Sequence, residues 1–340
     1  MISRSRALIQ YCLTRLALAP LMLWLIATMV FLLLRIAPGD PVDAILGNRA
    51  NELAREALRT KLGLDQPFLN QYFNFIKDIL HGDLGTALVN QEPISNIIKE
   101  SLPASIELGI CSLIIALVIG LSVGLSGISK EGGRIDMAGR LYGISTYALP
   151  PFWAAMLIQL FFAVFLGWLP VGGRFPPSML QPNGTGFLIL DSIINGNLSA
   201  LQGAIRHLAL PSITLGILLS GIFSRALRLN LSRILKTDHI EAARSRGIKE
   251  SQVLIKHALP NAFLPVLTIA GITIASLIGG ALLIEVTFSW PGIAMRLQEA
   301  IDQRDYPVVQ GIVVIVAGLV VLLSIFIDIL IASIDPRIRY

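Results

Sequence analysis

Residues 16–34 form a run of nineteen residues without a charge, and that run limits the fold more than any other feature. As a helix it is roughly 29 Å long at about 1.5 Å per residue, against a bilayer hydrocarbon core of about 30 Å. Backbone amides in hydrocarbon must be satisfied within the chain, so such a run reads as a transmembrane helix. A cleaved signal peptide is disfavoured. The apolar stretch exceeds the usual length of about 7 to 15 residues, and residues 35–41 hold no small-x-small cleavage pattern. Further apolar runs recur near 103–128, 141–168, 208–227, 262–286 and 308–333. With 54% hydrophobic and 14% charged residues, the expectation is an all-α polytopic membrane protein with six transmembrane helices.

Charge sets the orientation. Arg4, Arg6 and Arg15 precede the first run without an acid; Lys130, Arg134 and Arg140 follow the second; residues 225–260 hold eight Lys or Arg against three acids. The positive-inside bias places these stretches, and with them both termini, in the cytoplasm. The net charge of +5 is therefore a membrane signature, and no nucleic-acid partner is expected. Polar stretches at 37–102, 169–207 and 288–307 lie outside, the first as a cap with a helical pattern near 52–62 and the second with a segment, 187–194, along the interface. Pro150 and Pro151 either kink the third run or mark where it begins in earnest. Gly109, Gly120, Gly124 and Gly127 let other helices approach the second closely.

The chemistry-bearing residues exclude several classes. Cys12 and Cys111 are too few for a disulfide framework, and His81, His207, His239 and His257 lack ligand spacing, so no metal site is expected. No clustered nucleophile and base mark a membrane enzyme. No Gly-x-x-x-x-Gly-Lys-Ser/Thr loop occurs, so the chain has no phosphate cradle of its own. Glu107, Glu285 and Asp328 fall near the ends of their runs, away from the midplane where an ion-coupled carrier places its relay. They read as water-reaching or helix-paired carboxylates, or as lining a path. A transporter built this way takes its driving force from a separate partner.

The segment 238–261 is the surface shaped to receive it. Polar yet helix-patterned, it lies between two apolar runs. Asp238 is positioned to cap a helix with Glu241 reaching back to the cap amide, Gly247 to stop it, and a second helix to run from about 250 to 259 and end at Pro260. Ala243 and Gly247 fall one turn apart with Ala242 beside them, a face of almost no side-chain volume. A solvated basic loop is the alternative reading.

Glu241-Ala242-Ala243, Gly247 and His257-Ala258-Leu259-Pro260-Asn261 resemble the EAA loop of membrane subunits in binding-protein-dependent ABC importers. Ala37-Pro38-Gly39-Asp40-Pro41, Gly82-Asp83-Leu84-Gly85-Thr86, Phe288-Ser289-Trp290-Pro291-Gly292, Arg304-Asp305-Tyr306-Pro307 and Asp335-Pro336-Arg337 resemble the dipeptide and oligopeptide branch, so the resemblance covers nearly the whole chain. It implies the type I ABC importer permease fold in the inner membrane. Residues 1–36 would form the N-terminal cytoplasmic segment and first span, 37–102 the cap, 103–334 a core of five spans with the coupling loop at 228–261, and 335–340 a cytoplasmic tail. It implies a second homologous permease subunit, two ATP-binding subunits carrying ATP and Mg, and an extracytoplasmic substrate-binding protein, with no cofactor or catalytic residue on this chain. Glu241, Ala242, Ala243, Gly247, His257, Pro260 and Asn261 would couple to the ATPase. Trp290, Pro291 and Gly292 would shape an external gate or a dock for the binding protein, or form an interfacial turn anchored by Trp290. A peptide is the leading solute, with glutathione and nickel chelates as alternatives and an ion-coupled secondary transporter behind them.

Overall fold

The computed structural model describes residues 2–36, 42, 51–61, 63–126, 128 and 133–334, with the side chains of 2–12, 58, 61, 275, 278–280 and 331–334 excepted. The motifs at 37–41 and 335–337, with Gly127 and Lys130, lie outside the described residues.

The described chain is helical, with an isolated antiparallel bridge between Thr86 and Pro93. Its elements are α1 (Ile2–Ile36), α2 (Glu52–Lys61), α3 (Phe68–Leu80), α4 (Ile94–Leu125), α5 (Arg134–Ala148), α6 (Pro151–Gln159), α7 (Leu188–Ile194) and α8 (Leu198–Ile234). They continue with α9 (Asp238–Ser245), α10 (Glu250–Gln252), α11 (Leu259–Gly280), α12 (Leu282–Thr287), α13 (Ile293–Asp302) and α14 (Tyr306–Ile334). Five helices are long and apolar enough to span a bilayer, and the count reaches six when the bent pair, α5 with α6 continued through a π-helical turn to Phe165, is taken as one span. Leu149 and Pro150 are both extended, because a residue before proline is pushed out of the helical region, and the two helices turn through 102°. The kink is thus a full break, with a new helix beginning at Pro151.

The fourth span is longer than the 208–227 expected. Asn197 accepts a hydrogen bond from the Ala200 amide at 3.0 Å and starts α8 there, leaving a helix of 37 residues, roughly 55 Å, which overshoots the bilayer at both ends. Its main neighbour is α4. That contact is made almost backbone to backbone. A Cβ on Gly120 would stand 2.6 Å from the Ser220 carbonyl oxygen, and one on Gly124 3.1 Å from that of Ser224. Dispersion between closely packed helices drives such association in lipid, where hydrophobic burial gives little.

The other spans close around this pair. α1 packs on α14, with Arg15 and Asp328 paired at 3.0 Å. At the outer end of α1, Phe31 is buried among the rings of Phe68, Tyr72 and Phe75 of α3, and Thr28 hydrogen-bonds Tyr72 at 2.8 Å. The cap is therefore fixed to the first span by aromatic packing, stacked or edge-on according to ring geometry.

The helical elbow as candidate functional site

Thr237 precedes α9, and its carbonyl accepts from the Ile240 and Glu241 amides. Its hydroxyl does not cap the helix; it donates back to the Ile234 carbonyl at 2.5 Å. The expected cap at Asp238 is thus displaced by one residue. Asp238 is the first helical residue and Glu241 an exposed acid in the first turn, so neither forms a capping box. Both still sit where the positive end of the helix favours them.

The helix ends at a Schellman turn. Gly247, at φ +72°, donates to the Arg244 carbonyl at 2.9 Å, and Ile248 donates to that of Ala243 at 3.4 Å. Those are the two bonds a left-handed glycine permits at a helix end. Nothing lies within 4 Å of where a Gly247 Cβ would be, so the glycine serves the backbone turn rather than a close contact. Across the turn Arg244 grips the Glu250 carboxylate at 2.6 and 3.0 Å.

The small-residue face divides in two. Glu241, Ala242 and Gly247 are exposed, while Ala243 is buried beside Ile240 in a cluster with Leu227, Leu231, Val253, Ala258, Ala262 and Val266. Ala243 therefore does not belong to a free face: it points inward because Ile240, three residues earlier on the same side, is fully buried. One side of α9 is bonded into the inner ends of α8 and α11, and the other is open.

Pro260 does not end the second loop helix. From Glu250 the chain runs through a π-helical turn, Val253–Ala258, directly into α11, whose second residue is Pro260. A π turn shifts the hydrogen-bond register by one residue, so the missing proline amide is absorbed there and the helix continues. The Asn261 side chain donates to the His257 carbonyl at 3.0 Å, satisfying a group near the register change. His257 is half-buried on that turn.

The outer residues form a second assembly. Trp290 is 1% exposed, and its indole N–H donates to the Ala104 carbonyl at 2.9 Å. A ring buried against α4 is not an interfacial anchor, and that reading is corrected. Glu285 is fully buried, accepting from the Ser105 hydroxyl at 2.5 Å and the Met295 amide at 2.9 Å, with Gly292 packed against its carboxylate. Pro291 lies between these anchors. Glu107 accepts from Arg174 at 2.7 Å and from the Ile189 amide at 2.8 Å. Asp305 accepts from the Leu88 and Val89 amides and ties α14 to the cap; burial pushes its carboxyl up, with hydrogen bonds from those amides and Val308 pulling the other way. Ile240, Arg174 and Ser105 of this framework were not singled out in the sequence, and Arg228 was read only as one of the basic residues beside the fourth span. Arg228 binds Asp136 and the Val123 carbonyl, joining α8 to α5 and α4. A lone arginine in a Pro/Gly-rich loop such as Arg174 was the one legible hint.

The comparisons agree with this architecture. A family described as binding-protein-dependent transport system inner membrane component matches residues 116–340, and its N-terminal component matches residues 8–109. The chain is 38% identical over 333 residues, 98% of its length and 100% of the relative's, to the dipeptide transport system permease protein DppB of Alkalihalophilus pseudofirmus. It is 35% identical to DppB of Escherichia coli K12, covering 98% of this chain and 99% of that protein. It is 33% identical to the glutathione transport system permease protein GsiC of Pectobacterium atrosepticum, covering 96% and 97%. A solved structure of the MetNI methionine ABC transporter in an inward-facing conformation aligns with TM-score 0.50 and 19% identity over 68% of this chain and 93% of that one, which supports the type I permease fold. With α9 seated between the ends of two spans and these matches covering almost every residue, the chain belongs to the family of inner membrane components of binding-protein-dependent transport systems.

Proposed function

We propose that this chain forms half of a translocation path for peptides, and that α9 and the Gly247 turn receive the stroke of a separate ATPase. One observation carries the reading. α9 exposes Glu241 and Ala242 while Ile240 and Ala243 lock its other side to the inner ends of α8 and α11. A force on the open side therefore moves two spans together. Glu241 makes the polar contact, Ala242 lets the partner approach, and the turns at Gly247 and at His257, Pro260 and Asn261 keep the loop rigid.

The assembly that follows is a second homologous permease subunit, two ATP-binding subunits with ATP and Mg, and an extracytoplasmic binding protein, with both termini of this chain cytoplasmic. Closure of the ATP-binding pair biases a two-state arrangement of the spans. Glu107, Glu285, Trp290, Pro291 and Gly292 then act as the rigid outer frame against which the path opens, and Asp328 holds α14 to α1. The dipeptide permeases among its relatives support a di- or oligopeptide as solute. Glutathione is the second reading, favoured by the resemblance to GsiC.

The test is Ala242→Trp, placed on the open side of α9, together with Gly247→Trp. Both should insert and assemble, yet lose substrate-stimulated ATP hydrolysis in the reconstituted complex. Unchanged stimulation in the Ala242 variant overturns the coupling role. Uptake of labelled dipeptide competed by unlabelled dipeptide or glutathione separates the two solutes.

A further inference from the structure

The cap helix α3 crosses α1 at a steep angle. Phe68, Tyr72 and Phe75 all close on the single ring of Phe31, with centroids 5.5, 5.4 and 5.4 Å away. Phe68 and Phe75 stand about two turns apart, so helices lying side by side would pair them with two different residues of α1. The crossing also has a depth. Arg35 ends the uncharged run of α1 and marks one boundary of the hydrocarbon, and Thr28, seven residues earlier, lies roughly 10 Å inside it.

Two hydrogen bonds fix the roll of α3 about its own axis. Gln71 accepts from Arg35 Nε at 3.0 Å, and the next residue, Tyr72, bonds Thr28 through its hydroxyl at 2.8 Å. Gln71 therefore points toward water and Tyr72 toward the bilayer centre. Helical residues step about 100° around the axis, so the same rotation carried past Tyr72 reaches Ile76, Leu69, Leu80 and Phe73, grouped within about 60° of one another. That stripe faces the hydrocarbon. Leu69, Phe73 and Leu80 are 63%, 64% and 80% exposed, and Ile76 is half-buried. The rest of the circumference is polar: Lys77, the one cation of the helix, borders the stripe beside Phe73, and Asp78, its one acid, stands beside Gln71 on the water side.

We propose that α3 lies flat in the headgroup region of the leaflet at the Arg35 end of α1, with Leu69, Phe73 and Leu80 sunk among phospholipid acyl chains. In the orientation proposed above this is the outer leaflet, and the inference holds whatever solute the chain carries. An amphipathic helix of this kind buries its apolar face about 5–10 Å into the boundary between headgroups and chains, with basic residues along its edge. At the same end α1 leaves Met29, Leu33 and Ile36 exposed in a stripe of its own. A water-borne protein would have to reach the α3 stripe from beneath the polar side of the helix, where the hydrocarbon lies. Because α3 holds the lipid on one side and Phe31 on another, it sets the height of the cap above the spans.

The whole complex in nanodiscs, carrying p-trifluoromethylphenylalanine in place of Phe73, of Leu80 or, on the polar side, of Asp78, is read by fluorine NMR. Two broadening agents are compared: a phosphatidylcholine with a nitroxide high on its acyl chain, and a water-soluble gadolinium chelate. The labels at Phe73 and Leu80 should be broadened several-fold more by the nitroxide lipid than by the chelate, and the label at Asp78 the reverse. Leu80 lies beyond the last contact with Phe31, so its label leaves the aromatic cluster intact, and size-exclusion elution with the partner subunits shows that each labelled chain assembles. Equal or greater broadening by the chelate at Phe73 and Leu80 overturns the proposal, because the stripe then meets water. Broadening by neither agent overturns it too, because a second permease subunit or another protein then covers the stripe. So does a preference for the nitroxide lipid at Asp78 equal to that at Phe73, which removes the roll that aims the stripe at the bilayer.

Discussion

Arg244 and Glu250 close on each other across the Gly247 turn through two hydrogen bonds, Nη2 to Oε1 at 2.6 Å and Nε to Oε2 at 3.0 Å. Both side chains are close to half exposed, so solvent screens the pair and its share of stability is modest, about 0.2–1 kcal/mol. Its geometric effect is larger, because it fixes the angle between α9 and the helix that leads into α11. Arg244→Glu should lower the thermal midpoint little yet cut substrate-stimulated ATP hydrolysis several-fold. The exchanged pair Arg244→Glu, Glu250→Arg should recover part of it. Equal hydrolysis in all three proteins would show that the angle is set by Gly247 alone.

The α4 and α8 contact separates two glycines that look alike in sequence. A Cβ on Gly120 would meet the Ser220 carbonyl oxygen at 2.6 Å and the Phe223 Cβ at 2.8 Å, whereas one on Gly109 meets only the Leu277 Cβ at 3.8 Å. Gly120→Ala should therefore cost about 1–3 kcal/mol by forcing two long helices apart, and Gly109→Ala close to nothing. Thermal unfolding of the purified protein in detergent distinguishes them.

The contrast shows what the sequence could reveal. Run length and the absence of charge located the spans, because lipid solvation depends on composition and little else. The glycine stop at 247 was legible because few residues accept a left-handed turn. Which side of α9 faces inward was not: it hangs on Ile240 meeting Leu227 and Leu231, contacts made across the tertiary fold. The Pro260 expectation failed for a local reason, a π turn whose shifted register no propensity predicts. Of the two readings open for Trp290 the interfacial one fails, and the sequence could not choose because tryptophan suits a wet interface and a buried pocket with an acceptor equally well. Here the Ala104 carbonyl decided it.

Glu285 and Ser105 form one unit. The hydroxyl donates to Glu285 at 2.5 Å and accepts from the Ile293 amide at 2.8 Å, so removing either side chain strands a buried partner. Each alanine variant should cost about 1–3 kcal/mol, and the double variant less than their sum. A double-mutant cycle on thermal unfolding measures the coupling, and strict additivity would show that the contact carries no stability.

Asp191 sets the pH response of the outer loop. It is 1% exposed and accepts from the Thr185 amide and hydroxyl, each at 2.8 Å, and from the Gly186 amide at 2.9 Å. Burial works against its charge, but these hydrogen bonds, with Arg174 nearby, outweigh it and hold the carboxyl below its ordinary range. A depressed folded value means the charged form is bound better in the native state. Its contribution is then complete above the unfolded value of about 3.9 and is lost as pH falls through the lower folded value. Amide exchange at Thr185 and Gly186 should stay protected from neutral pH down to about 4 and open below that. In Asp191→Asn the same amides should be less protected at neutral pH, with the difference from wild type vanishing at the acid end. Protection in the wild type that is already lost near pH 6 would mean that Asp191 is neutral in the folded chain and that the loop is held by something else.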